Sequence, residues 1–381
     1  MRIFGALNRR RANAMRRFQY RPDSRKLRDA VLFEAFAGKV VGDSPLDIFH
    51  EVKRRYPELE LVWTVDDQTS APAGARAVRF GSGDWLRALA TSKYLVNNTN
   101  FPNYFRKLPE QIYLQTWHGT PLKRLGRDIA TNYLSKSYLD TMDREANYWN
   151  YLISPSKFCT EIFPGAFGYS GNILETGYPR NDRLSKITGA ERQQIRERIG
   201  VSDPSTVLVL YAPTWRDYAR SATGNWETVN YLDENIELPA GFQMLYRGHS
   251  NTHAMHNNSV AGQAIDVTMY PDITELYIAA DVLITDFSSV MFDYTVTGKP
   301  IMFLAPDLER YRAERGFYFD FEALAPVPIL STDVEVLHWL GHLDQLSRDF
   351  PARYRSWQQK FDALEDGNAA ARVVDAVWGK R

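Results

Sequence analysis

The chain has 381 residues, 44% hydrophobic and 24% charged, and its 46 basic and 46 acidic side chains give a formal net charge of +0. That length exceeds one ordinary core and suits two domains, while the balanced charge excludes a protein that coats nucleic acid. A lone cysteine, Cys159, excludes a disulfide framework and suits a reducing compartment, and no apolar run approaches the roughly 20 residues that cross a bilayer.

Residues 1–26 form a basic arm. Arg2, Arg9, Arg10, Arg11, Arg16, Arg17, Arg21, Arg25 and Lys26 are interleaved with Ile3, Phe4, Leu7, Met15 and Phe18. The arm lacks the continuous apolar stretch of a secretory signal. It fits either an interfacial anchor on anionic lipid or a solvated basic segment.

Residues 27–190 alternate strand and helix. Val31–Phe33 predicts a strand. Ser44 and Pro45 predict a helix start, with Ser44 as cap and Ile48, Phe49 and Val52 on the apolar stripe, stopped by Pro57. Strands follow at Leu59–Val65 and Tyr94–Val96, separated by a short helix at Trp85–Ala90. The run from Gln111 predicts a strand that ends on Trp117-His118. A helix at Ser137–Asn150, a strand at Tyr151–Ile153, and Ile173-Leu174 leading into the turn-rich Thr176–Asp182 complete this half. The polar helix Ala190–Ile199 marks the domain boundary. Residues 191–381 repeat the pattern, with strands at Thr206–Tyr211, Phe242–Tyr246, Val282–Thr285 and Ile301–Leu304, then C-terminal helices from Val334. Such alternation predicts parallel sheets with helices on both faces.

The chemistry gathers at strand ends, where open α/β sheets build their sites. His118 stands at one such end, beside Lys123, Arg124 and Arg127, which suit a phosphate. An imidazole takes a proton near neutral pH; a lone histidine there also fits a strand cap bonded to backbone. In the second half, Thr285–Ser289 offers two hydroxyls at a helix start, and Asp293 lies one turn beyond Ser289, suited to a ribose hydroxyl. The same residues fit as helix caps and a paired carboxylate. Thr214, Arg216, Arg247 and His249 each follow a strand; two guanidiniums would neutralise a diphosphate, or else form surface salt bridges. His249, His253 and His256 share a helical spacing, but no cysteine or close carboxylate completes a zinc set, so no metal is expected. Gly81-Ser82-Gly83 lacks the third glycine of a dinucleotide fingerprint, and Gly298-Lys299-Pro300 lacks the hydroxyl of a phosphate loop.

In order and spacing, these motifs resemble the CDP-glycerol glycerophosphotransferase family of teichoic acid biosynthesis. The resemblance rests on Leu32–Glu34, Asp43–Pro45, Gln115–Lys123, Thr176–Asp182, Tyr211–Asp217, Arg247–His249 and Thr285–Tyr294. Asp43-Ser44-Pro45 stands where the family usually has Asp-Asn-Pro, and Phe287 where Tyr is common. The resemblance implies a glycosyltransferase B-type α/β fold, two Rossmann-like domains facing a cleft. It implies His118 as the catalytic histidine and His249 as a second essential one, with Ser288, Ser289 and Asp293 at the donor nucleotide. The residue reading adds Thr214, Arg216 and Arg247 to the donor side, and Lys123, Arg124 and Arg180 to the acceptor or its phosphates.

The activity implied is transfer of glycerol phosphate, or a related alditol phosphate, from a CDP-activated donor to a hydroxyl of a lipid-linked glycan or polymer, releasing CMP. CDP-glycerol is the expected donor substrate, with no cofactor and no metal required. A polyprenyl-diphosphate-linked acceptor at the cytoplasmic face of the cell membrane is the expected partner, and nucleic acid is not. Glycerol versus ribitol, primase versus polymerase, and the number of subunits stay open. The alternatives are a nucleotide-sugar glycosyltransferase on the same scaffold and a non-catalytic polymer- or membrane-binding protein.

Overall fold

The computed structural model describes residues 26–67, 69–130, 136–214, 216, 231–233, 236–248 and 264–379, together with Arg16, Tyr20 and Pro22. The chain divides into two compact units. One comprises Met1–His118, Gly126–Asp182 and Asn368–Arg381; the other comprises Gly119–Leu125 and Arg183–Gly367.

In the first unit the described strands are β1 (Arg28–Glu34), β2 (Glu60–Val65), β3 (Arg76–Arg79), β4 (Ser92–Asn97), β5 (Ile112–Gln115), β6 (Tyr151–Ser154) and β7 (Asn172–Glu175). They form one sheet in the order β3-β2-β1-β4-β5-β6-β7, with parallel pairing throughout. Parallel strands are covered on both faces, which is why Val31-Leu32-Phe33 is continuously apolar and fully buried. Phe33 stacks on Trp63 of β2 at 5.8 Å. The helix Asp43–Arg55 lays Ile48, Phe49 and Val52 on the same core. Each such buried side chain contributes about 1.5–3 kcal/mol relative to exposure.

The second unit holds β8 (Val207–Ala212), β9 (Phe242–Tyr246), β10 (Ile265–Asp266), β11 (Val282–Thr285), β12 (Ile301–Leu304) and β13 (Ile329–Leu330). Their order is β10-β9-β8-β11-β12-β13, again parallel. Each sheet winds one way from its first strand and then reverses, so both units are Rossmann-like. The reversals fall between β1 and β4 and between β8 and β11, the places where doubly wound sheets bind ligands.

Several boundaries differ from the sequence reading. The division falls at Asp182/Arg183 rather than at residue 190, and the last helix, Ala369–Trp378, belongs to the first unit. Its apolar stripe of Val373, Val374, Val377 and Trp378 completes the first core. Asp182 holds its start, accepting from the backbone N–H groups of Ala369 (2.8 Å) and Ala370 (2.9 Å). The first long helix begins at Asp43 after Gly42, so Ser44 is buried inside the first turn instead of capping it. Strand β3 has no apolar run to predict it, because only Val78 of its four residues is buried. The helix Lys157–Phe167, which buries Cys159, was masked by its internal Pro164.

Candidate active site

Strand β5 ends at Gln115, three residues short of His118. The chain then turns sharply at Trp117, whose φ is 54°. Among the described residues, the non-glycine positions in the left-handed region are Phe36 (φ 48°), Ala37 (58°), Asp43 (58°) and Trp117. Phe36 and Ala37 follow β1, Asp43 opens the helix after them, and Trp117 follows β5. Each such residue costs of order 1–3 kcal/mol and persists only where its surroundings over-determine it. Here those surroundings are polar: Phe36 N–H donates to Asn98 Oδ1 at 2.9 Å, and Asn98 Nδ2 donates to Asp43 Oδ2 at 2.8 Å.

The half-buried His118 ring places Nδ1 2.7 Å from the backbone carbonyl of Asn98. A carbonyl only accepts, so Nδ1 carries the proton and Nε2 presents the lone pair. The imidazole stacks on Trp117 at 4.2 Å and meets Phe36 at 5.8 Å. Burial lowers its pKa below the ordinary histidine value. The Asn98 carbonyl and the Asp43 carboxylate oppose that shift, and Arg180 adds to it. The ring is therefore neutral at pH 7 and fit to take a proton.

Arg180, expected near the acceptor or its phosphates, is buried and joined to Asp43 Oδ1 at 3.0 Å, with its guanidinium 4.5 Å above the Tyr178 ring. Asn98 and Asp43 were not among the sequence candidates. Asp43 stood in a motif already noted and Asn98 just past a predicted strand, but nothing local in sequence pairs side chains 55 positions apart. Among the described residues of this unit, two carboxyls are fully buried. Glu34, the last residue of β1, accepts from Trp85 Nε1 at 2.9 Å, and burial raises its pKa to about 7. Glu145 accepts from Tyr113 and from the Phe101 N–H, both at 3.2 Å, and burial likewise raises it to about 7.

At the reversal of the second sheet the arrangement is different. The Thr214 N–H donates to Asp286 Oδ1 at 2.9 Å, and the Thr214 hydroxyl is buried without a partner among the described residues. Arg216, expected at a diphosphate, is fully buried instead. Its Nη1 meets Asp286 at 2.8 Å and the Thr214 carbonyl at 2.6 Å, while Nε and Nη2 fork onto Asp307 at 2.7 and 3.0 Å. Phe287 and Tyr311 flank it at 4.9 and 5.0 Å. Burial works against its charge, but Asp286 and Asp307 hold it more firmly protonated than usual. The residue is a strut between the ends of β8 and β11.

Arg247 follows β9 and donates from Nη1 to the carbonyls of Val267 (3.1 Å) and Tyr270 (2.8 Å). Ser288 and Ser289 are half-buried ahead of the helix Val290–Thr295, and the Ser289 hydroxyl makes no cap bond. Asp293 is buried on that helix. Lys123 and Arg124 fold with this unit, not with the first. The backbone of Lys123 pairs with Phe317, and Arg124 lies 5.6 Å from the Tyr318 ring. Gly119 packs on Ser289, whose Oγ would stand 2.6 Å from any added Cβ. His249, like His253 and His256, lies outside the described residues. Among those described, no group of three or more His, Cys, Asp or Glu side chains is placed to hold a metal ion.

Two doubly wound domains, one with a neutral histidine near the reversal of its sheet, define the glycosyltransferase B-type fold. The chain belongs to the CDP-glycerol:poly(glycerophosphate) glycerophosphotransferase family, whose sequence model it matches over residues 14–379. It is 36% identical over 364 residues to the teichoic acid poly(glycerol phosphate) polymerase of Bacillus subtilis (strain 168), a match that covers 92% of this chain and 49% of that one. With the teichoic acid glycerol-phosphate transferase of Staphylococcus aureus (strain NCTC 8325) it shares 34% identity over 368 residues, covering 92% and 93%. Solved structures of the wall teichoic acid polymerase TagF superpose on all of this chain and 96% of theirs at 31% identity. A histidine-to-alanine variant gives a TM-score of 0.88, and a histidine-to-asparagine variant soaked with CDPG gives 0.87.

Proposed function

We propose that this protein transfers glycerol phosphate from CDP-glycerol to a hydroxyl of a lipid-linked, glycerol-phosphate-bearing acceptor. The observation that carries the reading is His118, neutral, with Nδ1–H held by Asn98 and the Nε2 lone pair available for a proton. In the reaction, Nε2 takes the acceptor hydroxyl proton as that oxygen bonds to the glycerol-bearing phosphorus. The bond from that phosphorus to the bridging oxygen breaks, and CMP leaves with the electron pair. Arg247, Thr214, Ser288 and Ser289 are assigned to the donor diphosphate and Asp293 to the ribose, because ligands of doubly wound domains lie outside the carboxyl ends of the strands. His249 is assigned to the departing phosphate, and Lys123 and Arg124 to phosphates of the acceptor. Positioning and charge neutralisation supply most of the acceleration in such a transfer. The likeness to TagF, solved with CDPG, supports this donor.

A donor screen tests the reading. Purified protein is given CDP-glycerol or UDP-sugars with a soluble analogue of the lipid-linked acceptor. CMP release only with CDP-glycerol is expected. Turnover of a UDP-sugar alone would replace the reading with a glycosyltransferase, and no turnover with any donor would leave a binding protein.

Among the described residues no helix is long and apolar enough to cross a membrane. We place the enzyme at the membrane surface through its basic arm, residues 1–26. Each Lys or Arg near an anionic surface is worth roughly 1 kcal/mol. Deleting the arm is expected to lower co-sedimentation with anionic vesicles at low salt, while activity on the soluble analogue stays near wild type. Equal binding by the truncated protein would move the membrane contact elsewhere.

A further inference from the structure

We propose that Asp43 is a positioning residue for His118, acting through Asn98, with Arg180 as its counter-ion. The inference rests on the reading of His118 as the general base.

The Asn98 side chain is held at both ends. Its Oδ1 accepts from the Phe36 N–H at 2.9 Å, and its Nδ2 donates to Asp43 Oδ2 at 2.8 Å. A carboxylate accepts and a backbone N–H donates, so only this orientation of the amide satisfies both partners. The residue so fixed offers its own backbone carbonyl to His118 Nδ1 at 2.7 Å. Asn98 therefore couples the carboxylate to the imidazole's tautomer. Phe36, tied to the same side chain, presses its ring toward the imidazole at 5.8 Å.

Asp43 is not a conventional helix cap. The helix begins at Asp43 itself, after Gly42, and has no side-chain cap bond. An N-cap carboxylate would reach amides two or three positions on. Asp43 instead accepts from its neighbour Ser44 N–H at 2.6 Å and from Arg180 at 3.0 Å, and sends its other oxygen to Asn98. It does so from a left-handed backbone, φ 58°, which a local carboxylate–amide bond makes tolerable for Asp. The groups facing His118 are the Asp43 carboxylate, the Arg180 guanidinium, the Asn98 carbonyl and the rings of Phe36 and Trp117.

The test pairs kinetics with a direct view of the ring. In Asp43→Asn the negative charge that favours the imidazolium is gone, so the acidic limb of kcat/KM moves to lower pH. In Arg180→Gln the opposing positive charge is gone, so the limb moves to higher pH. Asp43→Asn is expected to lower kcat roughly 10-fold, the scale for a group that orients an imidazole through a second residue, with KM for CDP-glycerol unchanged. Nitrogen NMR of the His118 imidazole is expected to show protonated Nδ1 in the wild type and mixed tautomers in Asp43→Asn. A ring that keeps its tautomer and its titration in both variants overturns the proposal. So do acidic limbs that move in the same direction, or variants whose kcat falls only in step with lost folded protein. His118→Ala, assayed alongside, isolates the underlying reading. Turnover by that variant would remove His118 as base, while the NMR would still decide whether Asp43 sets its tautomer.

Discussion

The carboxyl ends of the two sheets share one topology and use their polar groups in opposite ways. At the first reversal, left-handed backbone at Phe36, Ala37, Asp43 and Trp117 surrounds a half-buried imidazole, and the Asn98 side chain ties Phe36 to Asp43. At the second, Arg216 is fully buried between two carboxylates, and no described non-glycine residue adopts positive φ. One end stores strain beside a neutral imidazole; the other removes freedom with ion pairs. A cation after a strand can therefore be a ligand or a strut, and what separates the two is burial and the number of carboxylates already facing it.

The largest expected effect breaks the second end. Arg216→Met leaves the buried Asp286 and the half-buried Asp307 without their partner, which should cost about 3–5 kcal/mol in chemical denaturation. A variant with wild-type stability and a raised KM for CDP-glycerol would restore Arg216 to the diphosphate. The next breaks the first end: His118→Ala should lose roughly 10²-fold or more in turnover, equivalent to at least about 2.7 kcal/mol of barrier, while calorimetric CDP-glycerol binding survives. Turnover close to wild type would remove the histidine from the mechanism.

Glu34 sharpens the comparison through pH. Its pKa is about 7 in the folded protein against an ordinary 4.5, so the folded state binds the proton more tightly. The stability this gives is full below pH 4.5 and is lost as pH rises through 7. Glu34→Gln should flatten that loss, leaving the variant roughly 1–3 kcal/mol more stable than wild type at pH 8. Denaturation midpoints at pH 5 and pH 8 decide it, and parallel pH dependence in both proteins would show that the carboxyl does not titrate there. The smallest effect tests the packing of Gly119 on Ser289. Gly119→Ala should cost about 1 kcal/mol by overpacking, and Ser289→Gly in the same chain should recover most of it. Absence of recovery would locate the fault elsewhere.

Much of the fold could be read because buried parallel strands are apolar on both faces. Val207–Leu210 and Ile301–Leu304 announce themselves in this way. Strand β3 does not, since Arg76 and Arg79 give it the look of a loop. His118 was legible from its place after an apolar run and from the family motif. Its dependence on Asn98 and Asp43 was not, because hydrogen bonds between distant loops leave no local pattern. The ion pairs of Arg216 are illegible for a related reason: a guanidinium looks the same in sequence whether it faces a ligand or two carboxylates of the fold.

The return of the last helix to the first unit has a consequence for synthesis. Residues 183–367 are all made before Val373, Val374 and Trp378 emerge to close the core around Phe33 and Trp63. On the ribosome, the half begun first is finished last. The histidine end must wait, with its apolar centre unsealed, until Trp378 has been made. The first core is thus completed by residues made after the whole of the second unit, and Asp182, holding the amides of Ala369 and Ala370, is the latch that fixes them.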